Sequence, residues 1–232
     1  MLRQEGEMCH DGMGPAEGPA REGASRYWEA HLRYDPQRQV VWRELARVIQ
    51  ADVPVAARLL ELGAGYCYFV NNIRAAERHA LDLEPRVREF AGPGVQIHVG
   101  SCTDLSMFPT ASLDVVFASN VLEHLVRPDV DATLREVRRV LSPGGRLILL
   151  QPNFRYSVRD YFDDYTHVTV FTDWSLARWV EAAGFSVSKL VPRFIPGDSR
   201  GGRPKHPWLV RLYLKLPVRP FAQQMYLVAQ RP

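Results

Sequence analysis

The stretch that most constrains this chain is Arg58-Leu59-Leu60-Glu61-Leu62-Gly63-Ala64-Gly65-Tyr66-Cys67. A leucine-rich run that ends in Glu61-Leu62 and breaks at once into Gly-x-Gly reads as a buried strand, a tight turn and a following helix. Glycine tolerates positive φ and carries no Cβ, so the backbone of such a turn can come close to a ligand. A dinucleotide fingerprint, Gly-x-Gly-x-x-Gly, would need a glycine where this chain has Tyr68.

Beyond the turn the pattern alternates. Short apolar runs at 57–62, 79–83, 95–99, 113–119 and 146–151 read as strands. Amphipathic stretches lie between them, most clearly 128–141, where Val130, Leu134, Val137 and Leu141 follow helical spacing. Ser142-Pro143-Gly144-Gly145 closes that helix with a stop-and-turn signal. A helix at 173–183 ends at Gly184, and two late strands, 185–191 and 224–229, flank a basic insertion. Strand and helix in alternation predict an α/β fold, a parallel sheet with helices on both faces. Residues 1–25, rich in Gly, Pro and Glu, read as a disordered leader. Residues 26–53 read as a helical cap split at Pro36, and 54–232 as the main domain, with the insertion at about 195–222.

Charge and cysteine content exclude several function classes. The net charge of +3 is too small to imply nucleic acid by itself, although it is uneven. From Pro192 to Pro232 eight Lys/Arg face one acid, Asp198, so this tail is +7 and the rest of the chain −4. No apolar run reaches the roughly 18–20 residues of a membrane-spanning helix, and the N-terminus does not read as a secretory signal. Cys9, Cys67 and Cys102 are too few and too scattered for a disulfide framework or a zinc site, which fits a reducing cytoplasm.

Three further motifs carry chemistry. Asp82, in Ala80-Leu81-Asp82-Leu83-Glu84-Pro85, stands about 20 residues beyond the glycine turn, the spacing of an acid that accepts ribose hydroxyls; the alternative is a cap for a helix at 85–91. Leu113 to Leu125 joins a strand to Asn120-Val121-Leu122-Glu123-His124, and Val140 to Leu147 makes the turn before the fifth strand. With Glu61-x-Gly63-x-Gly65, these motifs over about residues 55–152 resemble the class I S-adenosylmethionine (SAM)-dependent methyltransferase superfamily, small-molecule type. The resemblance implies a Rossmann-like, doubly wound, mostly parallel seven-stranded sheet with an antiparallel last strand. It implies SAM as cofactor, held around Glu61, Gly63, Gly65, Asp82 and Asn120. In the loop Val99 to Leu105 the superfamily often has an Asp that meets the adenine amino group, where this chain has Ser101. Either Ser101 and the Cys102 amide hold the adenine, or Asp104 reaches in. Cys67 and Cys102 read as small pocket-lining residues.

The later segments, Gln151-Pro152-Asn153-Phe154-Arg155-Tyr156 and Tyr161 to Val168, are similar to bacterial methyltransferases associated with polysaccharide and glycolipid assembly, as are 208–217 and 224–229. That similarity implies a small, sugar-like hydroxylated acceptor and O-methylation, with His167 or His124 as the base. N- or C-methylation of a natural-product intermediate is the second enzymatic reading. An RNA methyltransferase would account for the basic tail, but Gln151-Pro152-Asn153-Phe154 is not the Asn/Asp-Pro-Pro-Tyr of base methylation, so no nucleic acid partner is expected. A non-catalytic SAM-binding protein is the remaining rival. Asp163 and Asp164 either orient His167 or bind a divalent cation, for which the sequence shows no third ligand, or are a hydrated surface pair; Asp164 joins His167 and His124 as a candidate catalytic residue, and no metal is assigned. His10, His31, His79, His98 and His206 form no constellation. Tyr27, Trp28 and Tyr34 read as a lid or as packing. Residues 208–216 read as a helix packed on the domain with Arg211 and Lys215 snorkelling, or as a surface for a membrane or lipid-linked acceptor.

Overall fold

A computed structural model describes Arg26, Trp28, Glu29 and residues 34–197 and 206–232. The leader at 1–25, Tyr27, His31 and part of the basic insertion lie outside the described residues. Helix α1 (Pro36–Ile49) starts where Pro36 predicts a break, and the Asp35 carboxylate caps it by accepting from the Gln37 amide at 2.8 Å. Seven strands follow: β1 (Arg58–Leu62), β2 (Glu77–Asp82), β3 (Val95–Val99), β4 (Leu113–Ser119), β5 (Leu141–Pro152), β6 (Ser186–Pro196) and β7 (Ala222–Gln230). They form one sheet in the order β3-β2-β1-β4-β5-β7-β6. The pairs among β1 to β5 are parallel, and β7 runs antiparallel between β5 and β6. The sheet is therefore the expected one.

Side chains alternate across each strand, and the alternation builds a core on both faces. Leu60, Leu62, Val116, Ala118, Leu147 and Leu149 pack with helices α2 (Arg127–Val140) and α4 (Asp173–Ala182) on one face. Leu59, Val115, Phe117, Ile148 and Leu150 pack with α1 and with Phe69 and Val70 on the other. In α2 the residues Val130, Leu134, Val137 and Val140 are all buried, each contributing about 1.5–3 kcal/mol of burial. The one-turn helix α3 (Phe154–Ser157) is capped by Asn153, and α5 (Pro207–Lys215) packs Leu214 and, less fully, Val210 and Tyr213 beside α1.

Four expectations need correction. The glycine turn does not open into a regular helix: residues 65–72 form a run of turns, because Cys67 sits at φ 56 and interrupts any first helical turn. Strand β5 begins at Leu141, immediately after α2, and carries the Pro-Gly-Gly turn within it. The cap of the short helix Pro85–Glu89 is Glu84, not Asp82. His79 and His98 do meet, ring nitrogen to ring nitrogen at 3.1 Å between β2 and β3. On α5 Arg211 is held by Glu44 while Trp208 and Leu212 stay exposed. No helix among the described residues is long and apolar enough to cross a membrane.

Candidate active site

A cavity of about 990 Å³ opens over the C-terminal ends of β1, β2 and β4. In a doubly wound sheet this is where the strand order reverses and ligands bind. Its floor is the turn that follows β1. Gly63 and Gly65 both take positive φ, 62 and 51. A Cβ at Gly63 would fall 2.5 Å from Val121 Cγ2, so that glycine is demanded by packing. A Cβ at Gly65 would meet nothing within 4 Å. Its missing side chain leaves open the approach from the cavity to the backbone.

Asp82, at the tip of β2, lines this cavity and holds the turn in place. Its Oδ2 accepts from the Gly65 amide at 2.8 Å and its Oδ1 from the Glu84 amide at 2.9 Å. Burial raises its pKa, opposed by the two amides. Glu61 also reaches the cavity but is only 4% exposed, and its Oε2 accepts from the Val70 amide at 2.9 Å. Burial pushes its carboxyl well above the usual range.

On one side of Asp82 the wall is made by Gly100 and Cys102. The Ser101 hydroxyl instead turns into its own loop, 2.7 Å from Thr103 Oγ1, and Asp104 accepts from the Ser106 amide away from the cavity lining. Cys67 is fully buried and its thiol is pushed up to about 12 by burial and by Glu61 and Asp82, so it packs rather than reacts. Trp28, Tyr66 and Tyr68 line the outer wall as one cluster, with Trp28 and Tyr66 ring centres 4.8 Å apart. Trp28 thus both packs and borders the cavity; Tyr34 stacks on Phe90 beside it.

Asn120, His124, Asp164 and His167 line the same cavity. Asn120 follows β4 at φ 53, and Gln224 of β7 donates to its Oδ1 at 3.0 Å. The His124 and His167 rings lie 4.9 Å apart. His167 Nδ1 is 2.5 Å from the Tyr161 carbonyl, which can only accept, so Nδ1 carries a proton and Nε2 is the nitrogen left to meet a ligand. Thr166 donates its hydroxyl to Asp164 at 2.6 Å, and its oxygen stands 2.8 Å from His124 Nδ1. That chain assigns the proton of His124 to Nδ1 as well. Asp164 is only 6% exposed, unlike its neighbour Asp163, so the two do not form a hydrated pair. Burial works to raise the Asp164 carboxyl, yet the Thr166 hydroxyl and amide and the two imidazoles hold it below its ordinary value.

Glu123 is the residue that sequence reasoning passed over. It is 0% exposed, and neither carboxylate oxygen meets a hydrogen-bond donor among the described residues. Burial pushes its carboxyl up to about 8. A lone acid within Val121-Leu122-Glu123-His124-Leu125 was the available signal.

The arrangement has counterparts. Residues 60–149 match the family described as Methyltransferase domain. The chain is 30% identical over 135 residues to a ubiquinone biosynthesis O-methyltransferase of Xanthomonas axonopodis pv. citri, covering 54% of this chain and 56% of that one. It is 34% identical over 150 residues to a malonyl-[acyl-carrier protein] O-methyltransferase of Halorhodospira halophila, covering 58% and 50%. The chain thus spans about half the length of these curated relatives. Among solved structures, a SAM-dependent methyltransferase from Archaeoglobus fulgidus superposes with a TM-score of 0.60 at 20% identity, over 82% of this chain and 94% of that one. At that identity the likeness is one of fold. The family match implies SAM as the cofactor of the methyltransferase domain. The cavity fits it: Gly65 leaves a cradle that a side chain would fill, and Asp82 presents a carboxylate at the strand tip.

Proposed function

We propose that this chain transfers a methyl group from SAM to a hydroxyl of a small acceptor, a sugar or a glycan or glycolipid intermediate. The observation that carries the reading is that the glycine turn with Asp82 and the His124–His167 pair with Asp164 line one cavity. The O-methyltransferases among the relatives support oxygen as the accepting atom.

SAM, when bound, supplies a methyl group already activated on a sulfonium. The chain must hold it and align a nucleophile. The Gly63–Gly65 turn brings backbone against the cofactor, Asp82 accepts the ribose hydroxyls, and the Gly100–Cys102 loop borders the base. Glu61, buried behind the turn, fixes the backbone at Val70. Asn120, held by Gln224, stands between the cofactor and acceptor ends. Orientation of this kind lowers a barrier by about 7–11 kcal/mol when the geometry is good. His167, with its Nε2 lone pair, takes the hydroxyl proton; Asp164, through Thr166, positions His124 beside it.

Replacing the base tests this directly. His167→Ala lowers turnover by about 10²- to 10⁴-fold, measured with labelled SAM and a panel of hydroxylated glycan intermediates, while SAM affinity is kept. Near-normal turnover removes His167 from the role. Label arriving in RNA or on amines, with none on hydroxyls, overturns the acceptor class.

A further inference from the structure

The acceptor end of the cavity holds more than a base needs. Glu123, completely buried, has no donor for either carboxylate oxygen among the described residues. Its ionised form would cost several kcal/mol uncompensated, a cost that a positive partner removes. One ligand atom each from Glu123, His124 and His167 lie within 4.8 Å of one another. Ligand bonds of about 2.1 Å put tetrahedral donors about 3.4 Å apart, so side-chain rotations of roughly an ångström close the set on one ion.

The imidazoles are also prepared for it. A metal-bound histidine commonly donates its other ring N–H to a carbonyl or to a carboxylate-linked group, which fixes ring and tautomer. His167 Nδ1 meets the Tyr161 carbonyl, and His124 Nδ1 meets the Thr166 hydroxyl that is itself tied to Asp164. The acid pair Asp163 and Asp164 is not the ligand set; Asp164 supports it from behind.

We propose that Glu123, His124 and His167 form a site for a divalent first-row ion, with zinc the best match to two imidazoles and one carboxylate, and with its remaining position facing the cavity. The proposal deepens the O-methylation reading and rests on it for the ion's purpose. An acceptor hydroxyl in the remaining position is oriented and made more acidic, and its proton leaves to water. The ion then takes over from His167 the task of making the hydroxyl nucleophilic. Binding of the ion does not itself depend on methyl transfer, so the two ideas fail separately.

The test is titration of the full chain, stripped by chelator, with Co²⁺ followed by visible absorption, and with Zn²⁺ as competitor. One Co²⁺ per chain should give visible bands that Zn²⁺ abolishes. Glu123→Gln and His167→Ala should each weaken binding at least about tenfold, with far-UV circular dichroism unchanged, and Asp163→Asn should leave binding unchanged. If Glu123→Gln does not fold, His167→Ala against Asp163→Asn decides. No bands in the wild-type chain, or bands that survive the ligand variants, overturn the site and leave O-methylation standing. Co²⁺ binding without methyl incorporation into any hydroxyl overturns the function and leaves the site.

Discussion

At the scale of single residues, the two glycines of the turn do different work. Gly63 is fixed by Val121, 2.5 Å from where a Cβ would stand, and by its φ of 62. Gly63→Ala therefore costs about 1–3 kcal/mol through overpacking, with about 1–2 kcal/mol more for the left-handed backbone. Gly65→Ala meets only the backbone term, since its Cβ enters open space, but that space is the cofactor's. Urea melts alongside SAM titrations separate the two: Gly63→Ala should lose the greater stability, and Gly65→Ala should lose affinity out of proportion to its stability. Equal losses of both quantities in both variants would contradict the assignment. Asp82 was legible from spacing, because a strand-turn-strand unit of fixed length leaves little freedom in where the second strand ends. Glu123 was not, because sequence offers only a lone acid in an apolar run and does not show that its carboxylate meets no donor among the described residues. The loop that folds the Ser101 hydroxyl back on Thr103 was equally invisible.

At the scale of elements, strands were read almost to the residue wherever an apolar run is bounded by breakers, as in β3 and β4. The reading failed after β1, where Cys67 takes positive φ; a non-glycine residue there gives no warning in sequence. It also left α5 undecided, because the apolar packing of Val210, Tyr213 and Leu214 beside α1 and the ion pair that accompanies it are both long-range. Arg211 donates to Glu44 at 2.6 and 3.0 Å, and Arg47 donates to the same carboxylate at 2.7 Å. Glu44, 2% exposed, is held below its usual carboxylate range first by Arg211, with burial opposing and Arg47 assisting. Glu44→Ala should cost about 1.5–3 kcal/mol in chemical denaturation at neutral pH. A depressed folded-state pKa stabilises above the unfolded value and loses its contribution as pH falls through the folded one. The gap between wild type and Glu44→Ala should accordingly shrink on acidification. A gap that is constant or grows would show that Glu44 acts by packing alone.

At the scale of the molecule, strand-helix alternation fixed the parallel half of the sheet, and the resemblance supplied the antiparallel β7. What alternation cannot give is adjacency of loops distant in the chain. The cavity is assembled from the turn after β1, the tip of β2, the loop after β4 and the segment 160–167, which meet because β1 and β4 are neighbours in the sheet. The methyl-transfer reading of this cavity depends on its first half being a SAM site anchored by Asp82. Isothermal titration of SAM into the wild-type chain and into Asp82→Ala tests that most directly. One binding site in the wild type, weakened about tenfold or more in Asp82→Ala by loss of a charge-assisted pair with the fold retained, is the expected result; no binding by the wild type, or equal binding by both, would contradict the account.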